Sequence, residues 1–269
     1  MTDRYCVLGN PVAHSRSPAI HAQFSAQCRQ DLVYEALLAP LDGFAGTVRQ
    51  FVAAGGKGAN VTVPFKEEAF RLSTQRSPRA ERAGAVNTLT FAGGEIQGDN
   101  TDGAGLVRDI EANLGFALAG KRVLLLGAGG AARGVIVPLL ACRPLGLFIA
   151  NRSAGKAEAL ARQFADLAAV DAGNFAKTAG KQFDAVINAT SAGLSGAALP
   201  LPAGIYAPRC VAYEMLYGRE TAFMTHARAA GARVADGMGM LVEQAAEAFF
   251  VWRGIRPHTA PVLAALKEK

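Results

Sequence analysis

Residues 123–134 read Val-Leu-Leu-Leu-Gly-Ala-Gly-Gly-Ala-Ala-Arg-Gly, and their order decides the fold class. The apolar run Val123 to Leu126 predicts a strand, and the alternation of such runs with longer helical patterns through most of the chain predicts parallel sheets flanked by helices. Gly127, Gly129 and Ala132 follow at GxGxxA spacing, and a helical pattern opens directly behind them at Ala131–Ala141. Glycines there permit a tight turn and let the backbone approach a pyrophosphate. The helix start adds unpaired N–H groups and the positive end of a dipole. Gly127, Ala128, Gly129, Gly130 and Ala131 are therefore the expected dinucleotide-binding loop. A glycine-rich turn that binds nothing is the competing reading, and the strand, loop, helix context weighs against it.

Working outward, the next strand, Leu145–Ala150, runs into Asn151-Arg152-Ser153, with Lys156 one turn later. An NAD site usually presents Asp or Glu at this point; cations instead attract the extra 2′-phosphate of NADP. NADP is the expected cofactor, although a solvated basic helix start would carry the same residues. Helix Ala154–Phe164 and strands near Ala185–Asn188 and Val211–Glu214 continue a doubly wound unit. On the N-terminal side, Tyr5–Gly9, Val33–Leu38 and Ala59–Val63 read as strands, and Pro18–Gln30 and Gly43–Ala54 as helices. Thr88–Phe91 and Glu95–Gln97 flank Gly93-Gly94, a hairpin signal. Gly239–Arg253 and Ala260–Lys267 read as helices.

The chain has 269 residues, enough for two domains of roughly 100–150 residues. A hydrophobic content of 51% with 19% charged residues excludes a disordered chain. Lys and Arg outnumber Asp and Glu by 28 to 22, but the surplus is scattered, so no nucleic-acid partner is expected and anionic small molecules are favoured. Cys6, Cys28, Cys142 and Cys210 form no CxxC pair and have no His at ligand spacing, which predicts no metal site and a reducing compartment. The N-terminus lacks a long apolar core and no segment reads as a membrane span, so a cytoplasmic protein is expected.

Four polar clusters sit at strand ends and turns of the first half: GNPVAHSRSP from Gly9, NVTVPFK from Asn60, AGAVNTL from Ala83 and GDNTDGAG from Gly98. With the glycine loop, NATSAG from Asn188 and DGMGMLVEQAA from Asp236, they resemble the shikimate dehydrogenase family in order and spacing over nearly the whole chain. The resemblance implies reversible, NADPH-dependent reduction of 3-dehydroshikimate to shikimate. It also implies a two-domain α/β architecture: a substrate-binding α/β domain over residues 1–102, completed by C-terminal helices 238–269, and a Rossmann-type NADP domain over 103–237. Lys66 and Asp102 are implied as the catalytic pair. Ser15, Ser17, Asn60, Thr62, Asn87, Tyr217 and Gln244 are implied as substrate ligands, and Thr190, Met215 and Gly237 join Asn151, Arg152, Ser153 and Lys156 on the cofactor. Either a monomer or a homodimer fits.

Each residue also has a plainer use. Ser17 makes a good helix N-cap before Pro18, Asn87 and Asn100 suit turns, and Asp102 suits a cap ahead of a helix Gly103–Asn113. Asn60 and Thr62 alternate along a strand and can pair with a neighbouring loop. Lys66 alone reads as a solvated surface residue, and Gln244 as a partner for a buried backbone group. The chain departs from the family in three places: Glu214 stands where Asp is usual, Thr221-Ala222 where a Pro is frequent, and Ala22 where many relatives have Asn. Two rivals remain. A quinate/shikimate dehydrogenase tolerates an extra ring hydroxyl and often uses NAD; Ser15, Thr62 and Arg152 lean against it. A ligand-sensing regulator would have no need of both Lys66 and Asp102.

Overall fold

The computed structural model describes residues 2–267. The chain divides into two compact units, Met1–Gly105 with Leu241–Lys269, and Leu106–Met240.

In the first unit, six strands are described: β1 (Asp3–Gly9), β2 (Leu32–Leu38), β3 (Gly56–Val61), β4 (Gln75–Arg76), β5 (Thr88–Ala92) and β6 (Glu95–Asp99). They form one sheet in the order β2-β1-β3-β5-β6-β4. β1, β2 and β3 are parallel, while β5 is antiparallel to β3 and to β6. The sheet is thus mixed, not the parallel sheet that strand and helix alternation predicts. The antiparallel step is the hairpin at Gly93 and Gly94, both with positive φ (59° and 81°), which glycine adopts without a Cβ penalty.

Side chains alternate across β1. Cys6 and Leu8 join Phe44, Val48, Phe51, Phe65 and Leu89 in one core, while Tyr5 faces Trp252, with ring centroids 4.6 Å apart. Trp252 lies on helix Met238–Arg253 and donates from Nε1 to the Leu89 carbonyl at 3.0 Å. A Cβ at Gly58 would meet that indole at 2.6 Å, so glycine in β3 is what admits it.

β3 ends two residues earlier than the expected Ala59–Val63, because Phe65 N–H closes a turn on the Thr62 carbonyl at 3.0 Å and Pro64 has no N–H for a ladder. Ser17 is not an N-cap: helix Ser17–Cys28 starts on it, and the cap residue is Arg16. Asp102 is itself the first residue of helix Asp102–Arg108, and a single π turn over Asp109–Asn113 follows in place of the uniform helix expected. Eight short elements have no counterpart in the sequence pattern: β4, helices Lys66–Leu72 and Pro78–Ala83, and, in the second unit, strands Val170–Gly173 and Arg233–Ala235, the 3-10 turn Phe175–Thr178 and helices Ala192–Ser195 and Ala222–Ala229.

The second unit carries β7 (Arg122–Leu126), β8 (Gly146–Ala150), β9 (Val170–Gly173), β10 (Phe183–Asn188), β11 (Tyr206–Glu214) and β12 (Arg233–Ala235) in the order β12-β11-β10-β7-β8-β9, all pairs parallel. Val123 and Leu125 of β7 enter one apolar cluster, and Leu124 and Leu126 the other. Helices cover both faces, which is why the strand shows no polar alternation. The chain winds outward from β7 to β9, then returns to β10 on the other side of β7. This reversal is the topological switch point, where open α/β sheets bind ligands.

Candidate active site

The first unit gathers polar side chains at one end of its sheet, past the ends of β1, β3 and β6 and before the start of β5. Lys66 opens the helix that follows β3; Asp102 opens the helix that follows β6. Lys66 Nζ donates to Asp102 Oδ2 at 2.6 Å, with the two side chains 19% and 6% exposed. The other carboxylate oxygen, Oδ1, accepts from Asn87 Nδ2 at 2.8 Å. Two donors on separate oxygens leave the carboxylate one orientation, and Lys66 is a partly buried ion-pair member instead of a solvated surface residue.

Asn87 ties this pair to its surroundings. Its Nδ2 lies 2.9 Å from Thr101 Oγ1 and 3.3 Å from Gln244 Oε1, and its Oδ1 accepts from Thr101 N–H at 2.8 Å. Asn100 and Thr101, the two residues before Asp102, are part of the frame. Asn100 Oδ1 accepts from Asp102 N–H at 3.2 Å, and Asn100 Nδ2 donates to the Ala85 carbonyl at 2.9 Å. Sequence reasoning gave Asn100 only a turn role and passed over Thr101; their position beside Asp102 in GDNTDGAG was the available signal. Gln244 donates to Leu241 O within its own helix at 2.9 Å. Gly105 admits the helix backbone, since a Cβ there would stand 2.7 Å from Gln244 N.

Asn60 is nearly saturated from within the protein. Its Oδ1 accepts from Tyr34 Oη at 2.8 Å, while Nδ2 lies 3.2 Å from the Asn87 carbonyl and 3.1 Å from Thr88 Oγ1. The amide holds the β3–β5 junction and keeps one lone pair spare. Ser15 Oγ accepts from Ser17 N–H at 3.3 Å, and Thr62 N–H donates to the Leu8 carbonyl at 2.9 Å, so all three follow strand ends at the same edge. Tyr217 belongs to the other unit and sits in the loop after β11.

In the second unit Leu126 pairs with both Ala150 and Asn188, and Asn188 pairs with Glu214. One row of four residues therefore ends four neighbouring strands. The loops leaving this row carry the predicted cofactor residues: Gly127 to Ala131, Asn151 to Ser153 with Lys156 beyond, Thr190, and Met215. Gly127 has φ +111° and donates its N–H to Ala150 O at 2.8 Å. A Cβ on it would press the Ala189 carbonyl oxygen at 3.1 Å, so the position requires glycine twice over. Beside Gly129 a Cβ would meet nothing within 4 Å, leaving open space over the start of the 12-residue helix Gly130–Ala141. Arg152, Ser153 and Lys156 are exposed, and Asn151 Nδ2 donates to Ser153 O at 3.1 Å.

Thr190 is fastened to Asn188, whose Oδ1 accepts from its N–H at 3.1 Å and its Oγ1 at 2.8 Å. Gly237 donates its N–H to Leu216 O at 2.9 Å, and a Cβ there would collide with Met215 O. Glu214 is fully buried, and burial raises its carboxyl above the usual range against the hydrogen bonds it accepts. Among the described residues no cluster of His, Cys, Asp or Glu could hold a metal ion, and no helix is long and apolar enough to cross a membrane.

Three family models match the chain: the shikimate dehydrogenase substrate binding domain over residues 7–89, shikimate/quinate 5-dehydrogenase over 110–195, and the shikimate 5'-dehydrogenase C-terminal domain over 237–267. A shikimate dehydrogenase (NADP(+)) of Dechloromonas aromatica is 70% identical, covering 100% of this chain and 99% of its own. Among solved structures, an Ael1 enzyme from Pseudomonas putida is 49% identical with a TM-score of 0.92, over 98% of each chain. A shikimate 5-dehydrogenase of Thermus thermophilus in complex with NADP(H) and shikimate is 35% identical with a TM-score of 0.89, over 99% of each chain.

Proposed function

The chain belongs to the shikimate dehydrogenase family, and from that membership we infer that it catalyses the reversible, NADPH-dependent reduction of 3-dehydroshikimate to shikimate, a step toward the aromatic amino acids. The observation that carries the chemistry is the 2.6 Å Lys66–Asp102 pair, oriented by Asn87 within a frame of neutral donors and acceptors. Reduction of a ring ketone builds negative charge on its oxygen and needs a proton delivered there. Lys66, as an ammonium, would donate that proton and stabilise the charge, and the same group would take a proton back in the oxidation direction. Asp102 keeps the amine aimed, and Asn87 keeps Asp102 from turning.

The polyhydroxylated acid needs many short neutral partners, because each buried polar group left unpaired costs roughly 1–3 kcal/mol. Ser15, Ser17, Thr62, Asn87, Tyr217 and Gln244 are the residues we assign to it; Asn60 offers at most one acceptor site and chiefly positions its neighbours. For the cofactor, the positive φ of Gly127, the open space at Gly129 and the helix start at Gly130 fit a pyrophosphate. Gly127 to Ala131 would hold it, Arg152 and Lys156 the 2′-phosphate with Asn151 and Ser153 beside them, and Thr190, Met215 and Gly237 the nicotinamide half. NADPH bound there supplies the hydride. All proposed site residues lie on one chain, so a monomer or a homodimer serves, and a reducing cytoplasm suits the four free cysteines.

The test is a substrate panel read by NADPH absorbance: 3-dehydroshikimate with NADPH, shikimate with NADP⁺, and quinate with NAD⁺. Turnover in the first two and little in the third is the expected pattern. Turnover of quinate with NAD⁺ at a comparable rate would assign the broader dehydrogenase activity, and silence in all three a non-catalytic role.

A further inference from the structure

We propose that Glu214 is a positioning residue for cofactor binding, acting with Asn188 as one buried hub that fixes the two loops leaving β10 and β11. The proposal rests on the reading that these loops, through Thr190 and Met215, border NADP(H).

Glu214 is 0% exposed. Its Oε1 accepts from Leu216 N–H at 3.1 Å, and its Oε2 accepts from Asn188 Nδ2 at 2.7 Å and from Thr221 Oγ1 at 2.9 Å. The three donors are neutral. A carboxylate buried among neutral groups loses hydration that no cation restores, so its presence needs a geometric reason. That reason is connectivity. Leu216 lies between Met215 and Tyr217. Asn188 passes the constraint on, because donating Nδ2 to Glu214 leaves its Oδ1 facing Thr190, which it binds through both N–H and hydroxyl. Thr221 serves a third purpose, accepting from Met224 N–H at 3.3 Å as the cap of helix Ala222–Ala229.

Only an acceptor on both oxygens satisfies this pattern. A glutamine at 214 keeps one accepting oxygen and turns the other into a donor-only NH₂. If the NH₂ faces Leu216, two donors oppose each other and the Met215–Tyr217 loop loses its side-chain anchor, keeping only the backbone bonds of Met215 N–H to the Asn188 carbonyl and Gly237 N–H to the Leu216 carbonyl. If it faces Asn188, that amide must turn its oxygen inward, and its NH₂ then opposes Thr190 N–H. Either choice loosens one loop. Aspartate keeps both acceptors on a stem one methylene shorter.

The experiment is an NADPH titration by cofactor fluorescence on the intact protein, beside steady-state kinetics and a melting curve. Glu214→Gln should weaken NADPH binding about tenfold, with Glu214→Asp recovering to within about threefold of the unaltered protein. Thr221→Ala should lower the melting temperature, through loss of the cap on helix Ala222–Ala229. Asn188→Ala tests the hub from its amide side, also with about tenfold weaker binding, and decides the matter if Glu214→Gln does not fold. Unchanged affinity in Glu214→Gln, or in Asn188→Ala, overturns the proposal, as does an aspartate variant no better than the glutamine. Failure of the unaltered protein to oxidise NADPH with 3-dehydroshikimate would instead sink the functional reading.

Discussion

Lys66 and Asp102 stand 36 residues apart, and neither explains its place alone. Lysine usually reaches water, and aspartate before a helix usually caps it. What made them legible was company: both fall in polar clusters whose order matches one family. The finer assignments were less accessible. Nothing in NVTVPFK tells that Tyr34 has taken Asn60's oxygen, because that bond needs β1 to carry helix Ser17–Cys28 and β2 into place. At this scale the chemistry is tested by Lys66→Ala, which should lower turnover about 10²–10⁴-fold with a smaller change in substrate affinity. Near-normal turnover would remove Lys66 from the reaction. Asp102→Asn should also slow turnover, since its amide can accept on only one side; a loss confined to melting temperature would make Asp102 purely structural. Arg152→Ala should weaken NADP⁺ by roughly 10- to 100-fold, the worth of a charge-assisted bond, and leave NAD⁺ affinity alone.

At the scale of elements, long apolar or strongly periodic segments were readable and short ones were not. The β7 strand and the helix behind it announce themselves through a double-sided apolar run and three spaced small residues. β4 has only two residues, paired with β6, and helix Lys66–Leu72 buries a single alanine, so neither leaves a period to detect. The early end of β3 comes from the local turn at Pro64, whereas the π turn at Asp109 arises from packing. In the latter, Asp109 accepts from Tyr213 Oη at 2.5 Å and from Asn113 Nδ2 at 2.9 Å, contacts that a local pattern does not encode. The glycine loop offers the clearest elemental test. Gly127→Ala puts a methyl against the Ala189 carbonyl and asks an L-residue to hold a positive φ, a strain of about 1–3 kcal/mol. We expect weaker NADP⁺ binding and a lower melting temperature, with shikimate affinity in the absence of cofactor little changed. Calorimetric titration of both ligands checks this, and full NADP⁺ affinity would show that the loop tolerates the change.

At the scale of the whole molecule, the first unit is built from both ends of the chain, and the joint is aromatic. His21 of helix Ser17–Cys28 is 0% exposed, stacked on Tyr34 at 4.1 Å and flanked by Phe249 and Trp252 of the returning C-terminal helix at 6.3 and 5.5 Å. Neither imidazole nitrogen has a partner at hydrogen-bond geometry. Burial pushes its pKa down to about 3, with the Asn60 amide offsetting only part of that. The unfolded chain, with an ordinary histidine near 6.5, binds a proton that the folded one refuses between those two values. Stability is therefore complete above about pH 6.5 and drains away as the pH falls toward 3. From pH 7.5 to pH 5 this single group should cost about 2 kcal/mol. Glu214 pulls the other way, since its raised carboxyl binds a proton in the folded state first, and Asp99, held low by Arg79 and Ser77 despite its burial, matters only below about pH 4. Both are common to a His21→Phe variant, which keeps a ring in the stack and cannot titrate. Urea unfolding of the two proteins at pH 7.5 and pH 5 isolates the histidine: the unaltered protein should lose about 2 kcal/mol more than the variant across that interval. Equal losses would mean that the imidazole gains a proton in the folded state, and that the aromatic joint between the two ends of the chain admits water.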